Sequence, residues 1–156
     1  MSIRLLNWTF NKSSKPRQIE DPVFGKLRLV EAKNPSESYW RGCGRFGPTG
    51  SEVSYEIESG QAAPSESHRT FYRDIEARYS ELLGLVAPLL ESECAAQMAA
   101  CDVFFSQLSF RRETLCIPGS ESMEWSLVFS CVQWDDALFT VHVKDWQPTG
   151  KISVMD

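Results

Sequence analysis

Residues 71–89 read FYRDIEARYSELLGLVAPL, and apolar side chains recur there every three or four residues. The apolar series consists of Phe71, Ile75, Tyr79, Leu82, Val86 and Leu89. This spacing places one apolar stripe along a helix of 3.6 residues per turn. Pro64 suits the first turn of such a helix, because the N–H that proline lacks has no helical partner there. The pattern predicts one long helix over 64–91 whose apolar stripe packs against the rest of the protein.

Pro88 lies within this helical pattern, four residues after Gly84. A proline at that position removes the hydrogen bond to the Gly84 carbonyl. We therefore expect the helix to bend or to begin its last turn at Pro88. The alanine-rich stretch 92–101 is then expected to form a second, shorter helical piece.

Short runs that alternate apolar and polar residues, as half-buried strands do, lie on both sides of the helix. They cover 23–30, 39–46 and 53–58 before the helix, and 115–117, 124–132 and 138–143 after it, with weaker terminal candidates at 3–10 and 151–155 and a turn at 133–137. Strands, then a helix, then strands predict an α+β fold with the helix on one or two mainly antiparallel sheets. A doubly wound parallel sheet would need repeated β-α-β alternation, which the sequence lacks.

The length of 156 residues and the mass of 17.7 kDa predict a single domain over 1–156. Residues 1–18 are expected to be a loosely attached N-terminal strand and a polar linker. Apolar residues make up 42% of the chain and charged residues 24%, which is a globular mixture.

The formal net charge of −5 is unevenly distributed along the chain. Residues 1–45 carry nine basic and four acidic side chains, whereas residues 46–156 carry seven and seventeen. Phosphate would repel most of the chain, which argues against a general nucleic-acid or anionic-membrane binder. The odd count of five cysteines, with no Cys-x-x-Cys spacing and no signal-like N-terminus, favours a protein with reduced thiols in the cytoplasm.

Gly42-Cys43-Gly44-Arg45-Phe46-Gly47 matches the letters of the dinucleotide fingerprint G-x-G-x-x-G. That motif works only where its third glycine opens a helix whose N-terminal amides hold the pyrophosphate. Here Pro48-Thr49-Gly50 and the strand at Val53 follow instead. The glycines therefore indicate turns between strands, and no cofactor is expected.

Tyr39, Arg41 and Cys43 form a candidate pocket, since odd-numbered residues of the strand 39–46 share one face. Cys43 is a conceivable nucleophile with His68 or His142 as its base, and nearby arginines favour a thiolate. The alternative interpretation is that Cys43 serves as a small apolar residue.

No other pattern in the sequence indicates catalysis or metal binding. The adjacent carboxylates Asp135-Asp136 lie in a predicted turn, where aspartates more often accept local backbone hydrogen bonds than act as an acid–base pair. The two histidines have no ligand-type spacing with cysteines or carboxylates. We therefore expect no metal and name no catalytic residue.

Aromatic residues beside acidic ones mark a candidate protein-binding surface. Trp134 precedes Asp135 and Asp136, and Trp146 follows another aspartate at a strand end. Aromatic anchors rimmed by acidic groups are typical of contacts with a basic protein surface. Core packing is the alternative interpretation for both tryptophans.

Asp21-Pro22-Val23-Phe24-Gly25 and Tyr39-Trp40-Arg41-Gly42, followed by the helix at 71–75, resemble a group of small uncharacterised bacterial proteins. The group shares an Asp-Pro-x-Phe-Gly strand and a Trp-x-Gly strand, and the resemblance covers roughly residues 19–150. Some α+β domains of this size act as immunity proteins against toxins. The resemblance thus implies an immunity-type protein, and no catalytic motif is carried over with it.

Three functions follow as hypotheses. The first is a non-catalytic cytoplasmic protein-binding domain, of immunity type, whose partner has a basic surface. The second is a small enzyme or ligand-binding protein with a site at Tyr39, Arg41 and Cys43. The third is an oligomerising structural domain, and the sequence leaves the oligomeric state open.

Overall fold

Eight strands form one sheet, and they lie in it in the order in which they occur in the sequence. The computed structural model describes residues 15–102, 110–119 and 124–155. The strands are β1 (Gln18–Asp21), β2 (Gly25–Val30), β3 (Tyr39–Arg45), β4 (Glu52–Ile57), β5 (Phe110–Ile117), β6 (Trp125–Cys131), β7 (Trp134–Lys144) and β8 (Gln147–Met155). One long helix, α1 (Glu66–Ala100), lies between β4 and β5, and Pro35–Glu37 form a short 3-10 turn.

All neighbouring strands pair antiparallel except β4 and β5, which pair parallel with Tyr55 opposite Leu115. A parallel pair needs a crossover connection, and α1 lies within that connection. The structure confirms the predicted α+β fold with a mainly antiparallel sheet, and it shows a single sheet.

The apolar stripe of α1 packs on one face of the sheet. Its core-facing residues include Phe71, Ile75, Tyr79, Leu82, Val86, Leu90, Cys94 and Met98. They meet the inward side chains of the strands, among them Trp40, Ile57, Leu115, Trp125, Phe129 and Val141. Trp40 is fully buried, as expected of an anchor of the core.

The helix continues through Pro88, so the predicted end at residue 91 and the separate piece at 92–101 are wrong. Buried side chains recur every fourth residue from Leu82 to Met98 without a break. Pro88 and Gly84 are both exposed, so the carbonyl that loses its hydrogen bond lies on the solvent side of the helix, where it is open to water.

The start of α1 lies two residues later than predicted. Ser65 is the N-cap, and its backbone N–H donates to Nδ1 of His68 at 3.2 Å. Nε2 of His68 lies 3.2 Å from the Glu58 carbonyl, so the ring links the cap to the end of β4. His68 is only 6% exposed and is a structural part of the helix start.

The strand boundaries differ from the predictions at the ends of the sheet. The sequence pattern missed β1, which takes up the end of the predicted linker, and placed a turn over 133–137. In the structure the turn is confined to residues 132–133, and β7 begins at Trp134. The weak strand at 151–155 is confirmed as part of β8, whereas the one at 3–10 lies outside the described residues.

The face of the sheet opposite α1, called the open face below, is covered by no element in the described part of the chain. It carries Lys26, Arg28, Tyr39, Arg41, Cys43, Ser54, Glu56, Thr114, Cys116, Ser126 and His142, which are exposed or half-buried. The helix α1 lacks the apolar run that would let it cross a membrane, as does every helix in the described ranges.

Candidate functional site

A row of arginine, glutamate, cysteine and serine side chains crosses the open face from strand to strand. Arg28 lies opposite Arg41, Arg41 opposite Glu56, and Glu56 opposite Cys116. The row continues from Cys116 to Ser126. Side chains at directly opposed positions are about 5 Å apart at Cβ, so each contacts its neighbours in the row.

The predicted trio of Tyr39, Arg41 and Cys43 lies on this face, as strand alternation requires. Arg41 Nη2 donates to the Tyr39 hydroxyl at 2.9 Å and to Glu56 Oε1 at 2.7 Å. The Arg41 guanidinium also lies 5.5 Å from the centre of the Tyr39 ring. Arg41 is therefore engaged with its neighbours and is not aimed at Cys43.

Cys43 is exposed on the open face, opposite Ser54 of β4. His142 stands on β7, four strands away, which at about 4.8 Å per strand is roughly 19 Å. It pairs with Glu124 at 3.0 Å and lies 3.3 Å from the Ser153 hydroxyl. His68 is held at the start of α1. Neither histidine is within hydrogen-bonding reach of Cys43, so neither can serve as its base.

An acidic cavity of about 260 Å³ opens beside Tyr39 at one end of the open face. It is lined by the 3-10 turn and the end of β4, that is by Ser36, Glu37, Ser38, Tyr39, Glu56 and Glu58. Below, the acidic cavity means this set of residues. Three carboxylates converge on it, and only Arg41, which pairs with Glu56, supplies a balancing cation within the described ion pairs.

Glu58 is exposed as a residue, but its carboxyl is partly buried at the cavity, and this partial burial and the charge of the neighbouring Glu56 raise its pKa. A raised pKa means that Glu58 is held in a setting that disfavours its charge. The addition of a cation to this cavity would reverse that cost. A lysine or arginine side chain fits such a setting, and the Tyr39 ring offers it a π face.

A second cavity, of about 400 Å³, lies where β2 and β3 separate. The two strands pair only from Arg28 to Val30, and beyond that point Gly25 and Cys43 line an opening between them. At its floor the Tyr72 hydroxyl lies 3.2 Å from that of Tyr55 and donates to Glu76 at 3.0 Å. Burial raises the pKa of Tyr72, so these phenols stay protonated.

The predicted Tyr39, Arg41 and Cys43 pocket is thus divided in the structure. Tyr39 belongs to the acidic cavity, while Cys43 lines the cavity between β2 and β3. The two cavities lie at opposite ends of β3, which has seven residues.

The residues of the predicted aromatic and acidic site do not form one surface. Trp134 begins β7 and Trp146 follows its end, which at about 3.3 Å per residue separates them by roughly 30 Å. Trp134 is half-buried. Asp135 and Asp136 lie in β7, and their side chains are outside the described part of the structure. Partner contacts at Trp134, Asp135 and Asp136 remain a prediction.

Trp146 is only 9% exposed and packs in the core. Its ring centroid lies 5.0 Å from that of Phe71 and 5.7 Å from that of Trp125, and the Arg78 guanidinium lies 4.5 Å from its centre. Asp145 and Trp146 both have positive φ, which makes the tight turn between β7 and β8. Trp146 thus offers little surface to a partner.

The described residues hold no cluster of three or more histidine, cysteine or acidic side chains suited to a metal ion. All five cysteines are free thiols. No protein-family model matches the chain, and neither the curated proteins nor the solved structures contain a significant match to it.

Sequence reasoning missed Glu37 and Glu58 as site residues. Glu37 lies in a loop between strands and Glu58 just beyond β4, so no periodic pattern connects them. Glu37 and Glu58 lie close together only because β3 pairs with β4 and because the 3-10 turn that precedes β3 lies beside the end of β4. An available signal was the pair Glu56 and Glu58, which places two carboxylates on one side of the predicted strand 53–58.

Proposed function

We propose that the chain is a non-catalytic protein-binding domain, of immunity type, whose acidic cavity receives a partner with a basic surface. The acidic cavity carries this proposal. It is concave, it holds three carboxylates, and two of them, Glu37 and Glu58, have no cationic partner among the described residues. A basic side chain of the partner enters this cavity, and the partner covers the adjoining open face.

The rest of the open face supports a protein partner over a small substrate. Its central strands carry small polar and apolar groups, such as Thr114, Ser126 and Val128, which are half-buried. A contact of standard size buries about 800 Å² on each partner. A sheet face of several strands supplies that area, whereas a cavity alone does not.

The compartment is part of the same proposal. Five free thiols, two of them exposed at Cys43 and Cys101, fit a reducing cytoplasm. The acidic net charge of −5 would also disfavour nucleic acid as the partner. An immunity-type protein in the cytoplasm would act by occluding a basic toxin.

Affinity capture from the native host tests the proposal with two variants of equal charge change. Glu37→Gln/Glu58→Gln alters the acidic cavity, while Asp74→Asn/Glu91→Gln alters exposed positions on α1. We expect a stoichiometric basic partner with the wild-type chain and the α1 variant, and at least tenfold weaker capture with the cavity variant. Absence of a stoichiometric partner, or equal capture by both variants, would contradict the proposal.

A small-ligand function is the second candidate, and the cavity between β2 and β3 favours it. That cavity combines a hydroxyl and carboxylate floor with Arg45 and Arg73 at its rim. This candidate would be supported, in place of a protein partner, by a metabolite that binds in this cavity. Its binding should be lost in the Tyr72→Phe variant and unchanged in the Glu58→Gln variant.

A further inference from the structure

Arg112, a charged residue of β5, is buried against the helix. The alternation that places Leu115 inward would place Arg111 and Glu113 inward as well. The register between β5 and β6 shifts between Arg112 and Thr114, so Arg112 lies opposite the buried Phe129. A bulge of one extra residue reverses which side chains face the core. Arg112 is 4% exposed as a result.

The Arg112 guanidinium is held by two aromatic rings and one hydroxyl. Its central carbon lies 4.0 Å from the centre of Phe46 and 4.6 Å from that of Tyr79. Nη2 donates to the Thr49 hydroxyl at 3.0 Å. Nε and Nη1 are closed to solvent and have no hydrogen-bond partner.

No carboxylate neutralises this cation in the described part of the chain, where none of the ion pairs includes Arg112. Burial lowers the pKa of Arg112, and Tyr79, Tyr72 and Tyr55 counteract part of that effect. A buried charge without a counter-ion is costly, and aromatic faces offset only part of the cost.

A cavity of about 360 Å³ opens at this cation. Its volume is at the lower end of the range for small-molecule sites. Apart from Arg112 and the neighbouring Arg111, its lining includes the hydroxyls of Thr49 and Ser51 and the apolar side chains of Leu83, Phe129 and Val132. Leu83 is 37% exposed and Val132 is 43% exposed, so apolar surface forms the mouth of the cavity.

We propose that this cavity binds a carboxylate carried on an apolar body, with Arg112 as its counter-ion. The carboxylate accepts hydrogen bonds from Arg112 Nη2, which lies at the edge of the guanidinium that borders the loop, and from the Thr49 hydroxyl. Because the charge is delocalised over the guanidinium, a carboxylate at this edge balances the charge of the whole group. The apolar body of the ligand contacts Leu83, Phe129 and Val132.

The balance of charge and apolar surface favours a monocarboxylate over phosphate. A single buried cation balances one negative charge, and phosphate would place its remaining charge and oxygens against apolar walls. Such a carboxylate occurs on a free organic acid and at the C-terminus of a peptide. Both sources share the chemistry, so the experiment includes both.

Thermal denaturation and calorimetry test the site with four probes. Hexanoate and acetyl-Gly-Leu are expected to raise the Tm of the wild-type chain by about 3 °C near saturation. Hexanamide and acetyl-Gly-Leu-amide, which lack the charge, are expected to leave Tm unchanged. The tighter of the two carboxylates identifies the source. No shift with either carboxylate, or the same shift with the amides or with inorganic phosphate, would overturn the proposal.

Three substitutions test whether carboxylate binding takes place at Arg112. Arg112→Met is expected to abolish the response to the carboxylates, with a Tm no lower than that of the ligand-free wild-type chain, because an apolar side chain removes the unpaired charge. Thr49→Val, in an exposed loop, is expected to weaken hexanoate binding several-fold. Arg111→Gln, which removes an exposed cation from the same lining, is expected to retain it. Loss of binding in Arg111→Gln with retention in Thr49→Val would overturn the assignment.

Discussion

Arg69 Nη2 lies 2.9 Å from the carboxylate of Asp21 and joins the end of β1 to the first turn of α1. The Asp21 side chain is 2% exposed, and its Oδ1 also accepts from the backbone N–H groups of Val23 and Phe24. The aspartate of the Asp-Pro-x-Phe-Gly stretch therefore shapes the turn into β2 and fixes the helix to it. Its role is structural.

Asp21→Ala is expected to lower the free energy of unfolding by about 3 kcal/mol. The substitution removes the two carboxylate oxygens that accept from Val23, Phe24 and Arg69, and it leaves Arg69 without its buried partner. Urea denaturation followed by circular dichroism measures the loss. Glu66→Gln is the matched control, because Glu66 also pairs with Arg69 but has a 69% exposed side chain, and we expect it to leave stability nearly unchanged. Equal losses in the two variants would contradict this role of Asp21.

The same carboxylate predicts a dependence of stability on pH. Burial of Asp21 works against its ionisation, but hydrogen bonds from Arg69, Val23 and Phe24 outweigh burial and lower its pKa below the ordinary value. A lowered pKa stabilises the fold above the unfolded-state pKa near 4, and the contribution is lost as pH falls through the folded-state pKa. The difference in unfolding free energy between the wild-type chain and Asp21→Asn should therefore be constant from pH 5 to 7 and shrink below pH 4. A difference that is independent of pH down to pH 2 would refute it.

The Glu58 carboxyl is expected to change stability with pH in the opposite direction. Its pKa is raised by burial and by the charge of Glu56, so the protonated form is favoured in the fold. A raised carboxyl pKa gives stability that is present at low pH and lost as pH rises through the folded-state pKa. Glu58→Gln is thus expected to raise the Tm at pH 7 and to have little effect at pH 3. Scanning calorimetry at both pH values measures this, and a lower Tm at pH 7 would argue against the strained charge of the acidic cavity.

Substitution by alanine is expected to have opposite effects on stability at Gly42 and at Gly84. A Cβ at Gly42 would lie 2.6 Å from Leu27 Cδ2 and 2.9 Å from the Lys26 carbonyl oxygen, so Gly42→Ala should destabilise by about 2 kcal/mol. A Cβ at Gly84 meets nothing within 4 Å inside α1, so Gly84→Ala should stabilise by about 1 kcal/mol. Urea denaturation of both variants compares them directly. Tolerance of alanine at Gly42 would disprove the close approach of β2 and β3.

The fold class could be predicted because its signals are local. The apolar stripe from Phe71 to Val86 and the alternation in β2 and β4 each require only neighbouring residues. The course of the helix past Pro88 could not be predicted, because it depends on which side of α1 faces water. The parallel pairing of β4 with β5 and the position of β1 depend on contacts between distant segments.

The sites were harder to predict for the same reason. Alternation correctly placed Tyr39, Arg41 and Cys43 on one face of a strand. It gave no prediction for Arg112, which a bulge that no local pattern shows turns inward. It also gave no sign that packing around Phe71 and Trp125 would bury Trp146.

The central claim, that a protein partner covers the open face, can be tested with the native cysteines of the chain. Cys43 lies exposed on the open face, Cys101 lies exposed at the end of α1, and Cys94 and Cys131 are buried internal references. Alkylation of the captured complex followed by peptide mass spectrometry compares their labelling. We predict that the partner slows labelling of Cys43 at least tenfold and leaves that of Cys101 unchanged. Unchanged labelling of Cys43 in a stoichiometric complex would contradict the account.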